Sequence, residues 1–221
     1  MSVLPLLRPG QALVDEDIIL DGRLALFHRE ERWLAVADLH FGYELSQRNA
    51  GRLLPLWGMD SIEQRLLELV ADYAPQHLLL VGDLVHDHAA ALPARELIGR
   101  LADVCDPILI AGNHDRKLAG TMAMVDAWET DAFHFHHGHR PAELSERFQI
   151  IGHHHPAGTL TDGAGLQLKL PAFVQQERRW ILPAFSPWAA GAAWAAEAQS
   201  RVWLCTPQRV FPLPHVKAVA S

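Results

Sequence analysis

The chain has 221 residues, of which 49% are hydrophobic and 20% are charged, and its formal net charge at pH 7 is −7. This length and composition are typical of one globular domain with a sizeable core and exclude a disordered chain, so we expect a single domain over residues 1–221. The negative charge excludes an overall basic field that would attract nucleic acid, and any polyanion has to be held locally.

The two cysteines and the apolar segments indicate the cellular compartment in which the protein is expected. Cys105 and Cys205 lie far apart in sequence and do not resemble a disulfide framework. The first residues lack a cationic segment followed by an unbroken apolar run, so we expect no secretory signal. The longest apolar stretch, 180–198, is interrupted by prolines and a glycine and falls short of the roughly 20 apolar residues that span a membrane. These features favour the reducing cytoplasm and no membrane partner.

Apolar patterning predicts strands and helices that alternate along the chain. A helix is expected over 59–74, with Asp60 or Ser61 as its N-cap, and another around 94–104. The expected strands lie in the segments 23–28, 32–40, 77–83, 107–115, 132–138 and 148–155, and five of them are expected to end at residues 37, 81, 111, 136 and 151, with further strands between 166 and 211. The alternation indicates an α/β protein with layered sheets.

Five of these strands end in polar residues that can bind metal ions. Ligands of open α/β sheets bind beyond the carboxyl ends of strands, so the five ends can converge on one site. The residues at these ends are Asp38, His40, Asp83, Asn113, His114, Asp115, His137, His139, His153, His154 and His155. A single Asp or Asn after a strand is most often a turn former or a helix cap, but five coordinated ends are not explained in that way. Three other histidines belong to no such set and are expected at the surface or in supporting positions: His28, His86 and His88.

The residue types favour a pair of divalent ions. Carboxylate, imidazole and amide groups suit Mn²⁺, Fe²⁺ or Zn²⁺, and the lack of clustered cysteines argues against a structural zinc site with thiolate ligands. Several histidines with only two carboxylates suit Mg²⁺ or Ca²⁺ poorly. Two ions about 3.5–4 Å apart need a bridging ligand, and the carboxylate of Asp83 is the expected bridge.

The ordered motifs DLH, GD, GNHD, a histidine before glycine, and GHHH resemble those of the calcineurin-like metallophosphoesterase superfamily over residues 38–155. The resemblance implies a four-layer αββα sandwich with a dimetal site at the strand ends. It also implies that His114 faces the leaving group and that Asp115 orients it, although Asp115 can instead cap the residues that follow. His154 is expected to point away from the metals. The ligands implied for one ion are Asp38, His40, Asp83 and His155, and those for the other are Asp83, Asn113, His137 and His153.

Two further segments, ADLHFGYE at 37–44 and ILPAFSPWAAG at 181–191, resemble the bacterial ligase-associated DNA damage response endonucleases, which are encoded beside a helicase and a DNA ligase. This resemblance implies manganese-dependent cleavage of single-stranded DNA in DNA repair, in functional association with the helicase and the ligase. The SPWAAG segment departs from the glycine-richer turn of that family, which leaves contacts of the C-terminal region unassigned.

The short segments between Asp83, Asn113 and His137 leave no room for a cap domain and predict an open site, which suits a polymer better than an enclosed small molecule. A phosphatase, or a phosphodiesterase for cyclic nucleotides or nucleotide-linked lipids, is the alternative. A non-enzymatic metal-dependent scaffold is disfavoured because every expected position is filled, including His114. Aromatic residues available for base stacking, each also compatible with a core position, are Phe41, Tyr43, Trp57 and Trp188.

Overall fold

The computed structural model describes residues 7–118, 120–140, 146–194 and 200–213, which form two β-sheets and three α-helices. The strands are β1 (Gln11–Leu13), β2 (Ile18–Asp21), β3 (Ala25–His28), β4 (Trp33–Ala37), β5 (His77–Val81), β6 (Asp106–Ile110), β7 (Ala127–Glu129), β8 (Phe133–His136), β9 (Phe148–Ile151), β10 (Pro156–Thr161), β11 (Gln167–Gln176), β12 (Arg179–Ile181), β13 (Ala192–Ala193), β14 (Arg201–Thr206) and β15 (Arg209–Pro212). The α-helices are α1 (Tyr43–Asn49), α2 (Gly58–Tyr73) and α3 (Ala91–Ala102). The predicted α/β sandwich with layered sheets is confirmed.

The first sheet has the strand order β1-β2-β3-β4-β5-β6. Its first four strands are antiparallel, whereas β4, β5 and β6 run parallel. Helices α2 and α3 connect the parallel strands, and right-handed crossovers place both helices on the same face of the sheet. Helix α2 packs on the sheet through Ile62, Leu66 and Leu69, which are fully buried and share one face of the helix.

The N-terminus of α2 differs from the prediction. The helix begins at Gly58, and the side chain of its N-cap residue, Trp57, makes no capping hydrogen bond. The predicted caps, Asp60 and Ser61, therefore lie within the first turn. Glu44 of α1 supplies the missing acceptor, because its Oε1 atom accepts a hydrogen bond of 2.8 Å from the backbone N–H of Met59.

The second sheet has the order β13-β10-β11-β12-β9-β8-β7, and β14 pairs with β11 and β15. Strands β8, β9 and β12 run parallel to one another. Bulky aromatic side chains fill the space between the two sheets. Trp33 of the first sheet is fully buried, and its ring centroid lies 5.0 Å from that of Phe133 and 4.9 Å from that of Phe135 in the second sheet. The two sheets therefore share one core.

The strands end at, or within one residue of, the positions that the sequence pattern predicted. Strand β4 ends at Ala37, β5 at Val81, β6 at Ile110 and β9 at Ile151. The polar residues that follow each strand leave the sheet and form loops at one edge. Within the described residues, no helix is long and apolar enough to cross a membrane, and both cysteines are free thiols.

A buried ion pair connects strand β2 to the end of α2, away from the polar strand ends. The carboxylate of Asp21 accepts hydrogen bonds from Arg23 Nη2 at 2.8 Å, from Arg23 Nε at 3.0 Å and from the Tyr73 hydroxyl at 2.8 Å. Burial raises the pKa of Asp21, but the hydrogen bonds and charge of Arg23 outweigh it and leave that pKa below its ordinary value. The ionised carboxylate is therefore the form that the fold stabilises.

We expect Asp21→Asn to lower the free energy of unfolding at pH 7 by about 2 kcal/mol, because it removes charge-assisted hydrogen bonds in a buried setting. The stabilisation by Asp21 is fully present above the ordinary pKa of 3.8 and is lost as the pH falls through the lowered pKa of the folded state. Urea unfolding of both proteins between pH 3 and 7, with chelator present, measures this difference.

The exposed Asp131→Asn variant is the matched control and should unfold like the wild type at every pH. If the free energies of unfolding of Asp21→Asn and the wild type differed by the same amount at pH 3 and pH 7, the stabilisation would not depend on the ionisation of Asp21, which would contradict the prediction.

Candidate metal centre

The carboxyl ends of strands from both sheets meet at one edge of the sandwich. The segment after β12 returns along β4, where the Phe185 N–H donates to the Ala37 carbonyl at 2.8 Å. The loop after β9 is attached to the first sheet as well, because the backbone N–H of His153 donates to Asp38 Oδ2 at 2.9 Å. These contacts place the segment after β12 and the loop after β9 beside the polar end of β4.

The structure gathers Asp38, His40 and His155 into a group whose potential ligand atoms all lie within 4.8 Å of one another. His40 Nε2 lies 3.3 Å from His155 Nε2, and His155 Nε2 lies 3.5 Å from Asp38 Oδ1. Two ligand atoms on one ion with bonds of about 2.0–2.2 Å are themselves separated by about 3–3.5 Å. The spacing therefore fits shared coordination of one divalent ion.

A second group consists of Asp83, His137 and His153. His137 Nε2 lies 3.4 Å from Asp83 Oδ2 and 3.1 Å from Asn113 Oδ1. The rings of His137 and His153 have centroids 4.9 Å apart. All seven residues predicted as ligands are thus brought together, and they divide between two neighbouring groups.

Asp83 lies between the two groups. Its Oδ2 atom is 3.9 Å from His40 Nε2 in the first group and 3.4 Å from His137 Nε2 in the second. The other oxygen, Oδ1, accepts a hydrogen bond of 2.9 Å from the backbone N–H of His114. This position is the one that a bridging carboxylate requires.

The buried carboxylate of Asp38 provides a further test of whether the residues fit a metal ion. Asp38 is fully buried, and its Oδ1 atom has no hydrogen-bond partner. That oxygen faces His137 Nδ1 at 3.6 Å and His155 Nε2 at 3.5 Å. A buried anionic oxygen without a donor is costly unless a cation compensates it. The oxygen and nitrogen donors around it suit Mn²⁺, Fe²⁺ or Zn²⁺.

Backbone strain is concentrated in the same residues. Eight non-glycine residues in the described chain have a positive φ, and five of them are predicted ligands: Asp38, His40, Asp83, His153 and His155. Left-handed backbone is unfavourable for residues with a Cβ atom and persists where the surroundings enforce it. Gly82, with φ +78°, lets the ring of His137 approach, because a Cβ atom there would lie 2.0 Å from His137 Nδ1.

Electrostatics in the site favour neutral His40 and ionised Asp83. Burial lowers the pKa of His40 to about 3, and the opposing charge of Asp83 does not offset that effect. Burial raises the pKa of Asp83, but the hydrogen bond and charge of His137 outweigh burial and bring it to about 2. These are the forms in which His40 and Asp83 bind metal ions, whereas burial is outweighed by Asp83 and Asp38 at His137, and they raise the pKa of that ring, which has to lose its proton when an ion binds.

The predicted pairing of Asp115 with His114 is corrected by the structure. The Asp115 carboxylate accepts hydrogen bonds from the backbone N–H groups of Leu84 at 3.2 Å, Val85 at 3.2 Å and Gly112 at 2.8 Å. It therefore joins the loops after β5 and β6, since a buried carboxylate requires several donors. His114 Nδ1 instead lies 3.0 Å from the backbone carbonyl oxygen of His86.

His86 is the site residue that the sequence pattern missed. It lies in the loop after Asp83, and its ring stacks on that of His114 with centroids 5.4 Å apart. Together with His40 these residues form a third group of potential ligands within 4.8 Å. A histidine three positions after the GD motif was the available signal. His154, in contrast, is exposed and lies outside all three groups.

We expect the wild-type protein to retain two manganese ions per chain after loading and desalting, as measured by elemental analysis. Asp83→Ala should lose both ions because it removes the shared carboxylate, whereas His155→Ala should lose one. His154→Ala is the matched control and should retain two, with circular dichroism to verify folding of each variant. A wild-type protein that saturates at one ion would contradict the bridging arrangement.

The chain is similar to a known protein family and to solved structures. No curated protein matches the chain. The structure is similar to the crystal structure of the Pseudomonas putida nuclease MPE, with a TM-score of 0.72 and 28% identity over 95% of this chain and 99% of that one. It is also similar to Yfce, a phosphoesterase from E. coli, with a TM-score of 0.47 and 16% identity over 80% of this chain and 95% of that one. Residues 32–188, which contain every predicted ligand, match the calcineurin-like phosphoesterase family. The chain therefore belongs to the calcineurin-like phosphoesterase family, whose members hydrolyse phosphoesters with bound metal ions.

Proposed function

We propose that the protein is a manganese-dependent endonuclease that cuts single-stranded DNA. The observation that carries the proposal is the similarity to a nuclease, which extends over 95% of this chain at 28% identity. The resemblance of ADLHFGYE and ILPAFSPWAAG to the ligase-associated endonucleases points to the same activity. That resemblance also supports a role in DNA repair, in association with a helicase and a DNA ligase. The two free cysteines support a location in the reducing cytoplasm.

The architecture supports a polymeric substrate. Every strand in the described residues belongs to one of the two sheets, and the candidate ligands lie in loops at the sheet edge. We infer a single domain without a cap, which leaves this edge open to a chain that continues on both sides of the cut. Enclosed pockets, in contrast, suit small ligands that are buried almost completely.

Two divalent ions, when bound, supply a water molecule activated for in-line attack and neutralise charge on the phosphoryl oxygens. Among the candidate ligands, the carboxylate of Asp83 would bind both ions. The residues that would complete one site are Asp38, His40 and His155, and those that would complete the other are Asn113, His137 and His153. We favour manganese because nitrogen and oxygen ligands predominate and because the resembled endonucleases use it.

His114 is the proposed general acid. Its Nδ1 atom faces the His86 carbonyl oxygen at 3.0 Å, which positions Nδ1–H as the donor of that hydrogen bond. As a general acid the ring would act as the imidazolium, whose second proton on Nε2 passes to the departing alkoxide and leaves a neutral ring that keeps Nδ1–H. The stacked ring of His86 holds the His114 ring in this orientation. Asp115 would position His114 indirectly, because its carboxylate joins the loops that carry Asp83 and His114.

We expect the protein with Mn²⁺ to cut circular single-stranded DNA at least tenfold faster than duplex DNA of the same sequence. The circle has no ends, so nicking requires an endonuclease, and an unpaired strand can bend into an open site. Conversion of the circle to linear fragments on denaturing gels measures the rate.

Asp38→Asn, prepared in parallel, controls for contaminating nucleases and should show no cleavage. Turnover of phosphomonoesters or cyclic nucleotides alone, with intact circles, would replace this proposal with a small-molecule phosphoesterase.

We expect His114→Ala to retain both ions. Its loss of rate relative to the wild type should be at least tenfold larger on DNA than on a bis-nitrophenyl phosphodiester, a difference of about 1.4 kcal/mol in the barrier. The alkoxide leaving group of DNA needs a proton, whereas nitrophenolate leaves as a stable anion. Steady-state rates on both substrates, with elemental analysis, measure the effect.

The matched control is His154→Ala, which removes an exposed histidine outside the ligand groups and should leave both rates unchanged. Equal losses on the two substrates with both ions bound would assign His114 to charge stabilisation instead.

A further inference from the structure

A cavity of about 200 Å³ adjoins the candidate metal centre. His40 and His155 form the wall that it shares with the metal centre, and Tyr43, His86 and Trp188 form much of the rest. In the described chain, no Lys, Arg, Asp or Glu lines this cavity. The lining therefore suits a neutral, flat, aromatic group and not a second phosphate.

The aromatic rings of the cavity are arranged for stacking. Tyr43 and Trp188 lie nearly parallel, with ring centroids 6.1 Å apart and an interplanar angle of 26°. Trp57 extends the surface, since its ring centroid is 4.9 Å from that of Trp188. Trp57 is 48% exposed, while Tyr43 and Trp188 are half-buried. Aromatic residues that served only as core would be covered, so this cluster retains surface for a ligand.

The orientation of Trp188 is fixed before any ligand binds. Its Nε1–H donates to Glu44 Oε2 at 3.1 Å, and Glu44 is fully buried. Gly58 leaves room for the indole, because a Cβ atom at that position would lie 2.3 Å from Trp188 Nε1. A buried carboxylate and a glycine thus hold one tryptophan ring at the edge of the metal centre. Such support is what a preorganised binding site requires.

We propose that this aromatic cavity, defined by Tyr43, His86 and Trp188, is a subsite that stacks a nucleobase next to the phosphate being cut. The proposal rests on the proposed nuclease function and names the part of the substrate that the site recognises. A base within a duplex is already stacked and paired, and it can enter the cavity only after it leaves the helix. An unpaired base enters without that cost, so the cavity provides a physical basis for preference for single strands.

The test compares two single-stranded oligonucleotides of equal length. One carries ordinary bases throughout, and the other carries a central tract of abasic tetrahydrofuran nucleotides with the same phosphates. The measured quantity is kcat/KM for cleavage within the central tract, with Mn²⁺. We expect the wild type to cut the base-containing tract about tenfold faster, which corresponds to about 1.4 kcal/mol.

The variants Tyr43→Leu and Trp188→Leu remove a ring but keep apolar volume. Each should lower kcat/KM about tenfold on the base-containing tract and less than about twofold on the abasic tract, with both manganese ions retained. Trp188→Phe keeps a ring and should retain most of the activity. Trp128→Leu is the control, because Trp128 lies on β7 and packs against Phe135, away from the cavity.

Equal losses on the two tracts, or a wild type that cuts both tracts equally, would overturn the subsite while leaving the nuclease function intact. Loss of manganese from the leucine variants would also overturn it, because the rings would then act through the metal centre. A wild type that cuts neither tract would refute the nuclease function and the subsite together.

Discussion

The buried carboxylates of Asp38 and Asp83 impose the constraint on which the rest of the site depends. Two anionic groups with almost no exposure to water require cations or donors close by. Imidazoles from both sheets surround them, and Asp38 Oδ1 still lacks a hydrogen-bond partner. A metal centre satisfies this requirement, since it compensates both charges at once. Neither sheet alone supplies all the candidate ligands, so the site can form only where the two sheets pack together.

The core between the sheets keeps the strained loops in place. Five of the predicted ligands have left-handed backbone, which is unfavourable in isolation. Trp33 and Phe135 are fully buried in the shared core, and their contact holds β4 against β8. The carboxyl ends of the strands in the two sheets thereby stay in register. The Asp115 carboxylate performs a similar task locally, because its three backbone hydrogen bonds hold the loops after β5 and β6 together.

His86 connects the metal centre to the aromatic cavity. Its carbonyl oxygen contacts His114 Nδ1, its ring stacks on the His114 ring, and the same ring lies 4.7 Å from the Tyr43 ring. One loop residue therefore contacts the proposed proton donor and the proposed base-stacking surface. With the proposed subsite, a strand whose base stacked on Tyr43 and Trp188 would also have its phosphate beside His114. Substrate selection and proton transfer would then depend on a common set of contacts.

The sequence by itself determined the strand ends, the polar residues that follow them and the α/β fold, because alternating apolar runs set the strands and polar residues follow each one directly. The family resemblance also implied that His153 and His155 are the ligands of the triple histidine, and the structure places both residues in the ligand groups. Only the tertiary structure decided the partners of Asp115, the role of Glu44 at the start of α2 and the place of His86. Each of these depends on a contact between segments distant in sequence, such as Glu44 with Trp188, and local patterns of hydrophobicity carry no information about such contacts.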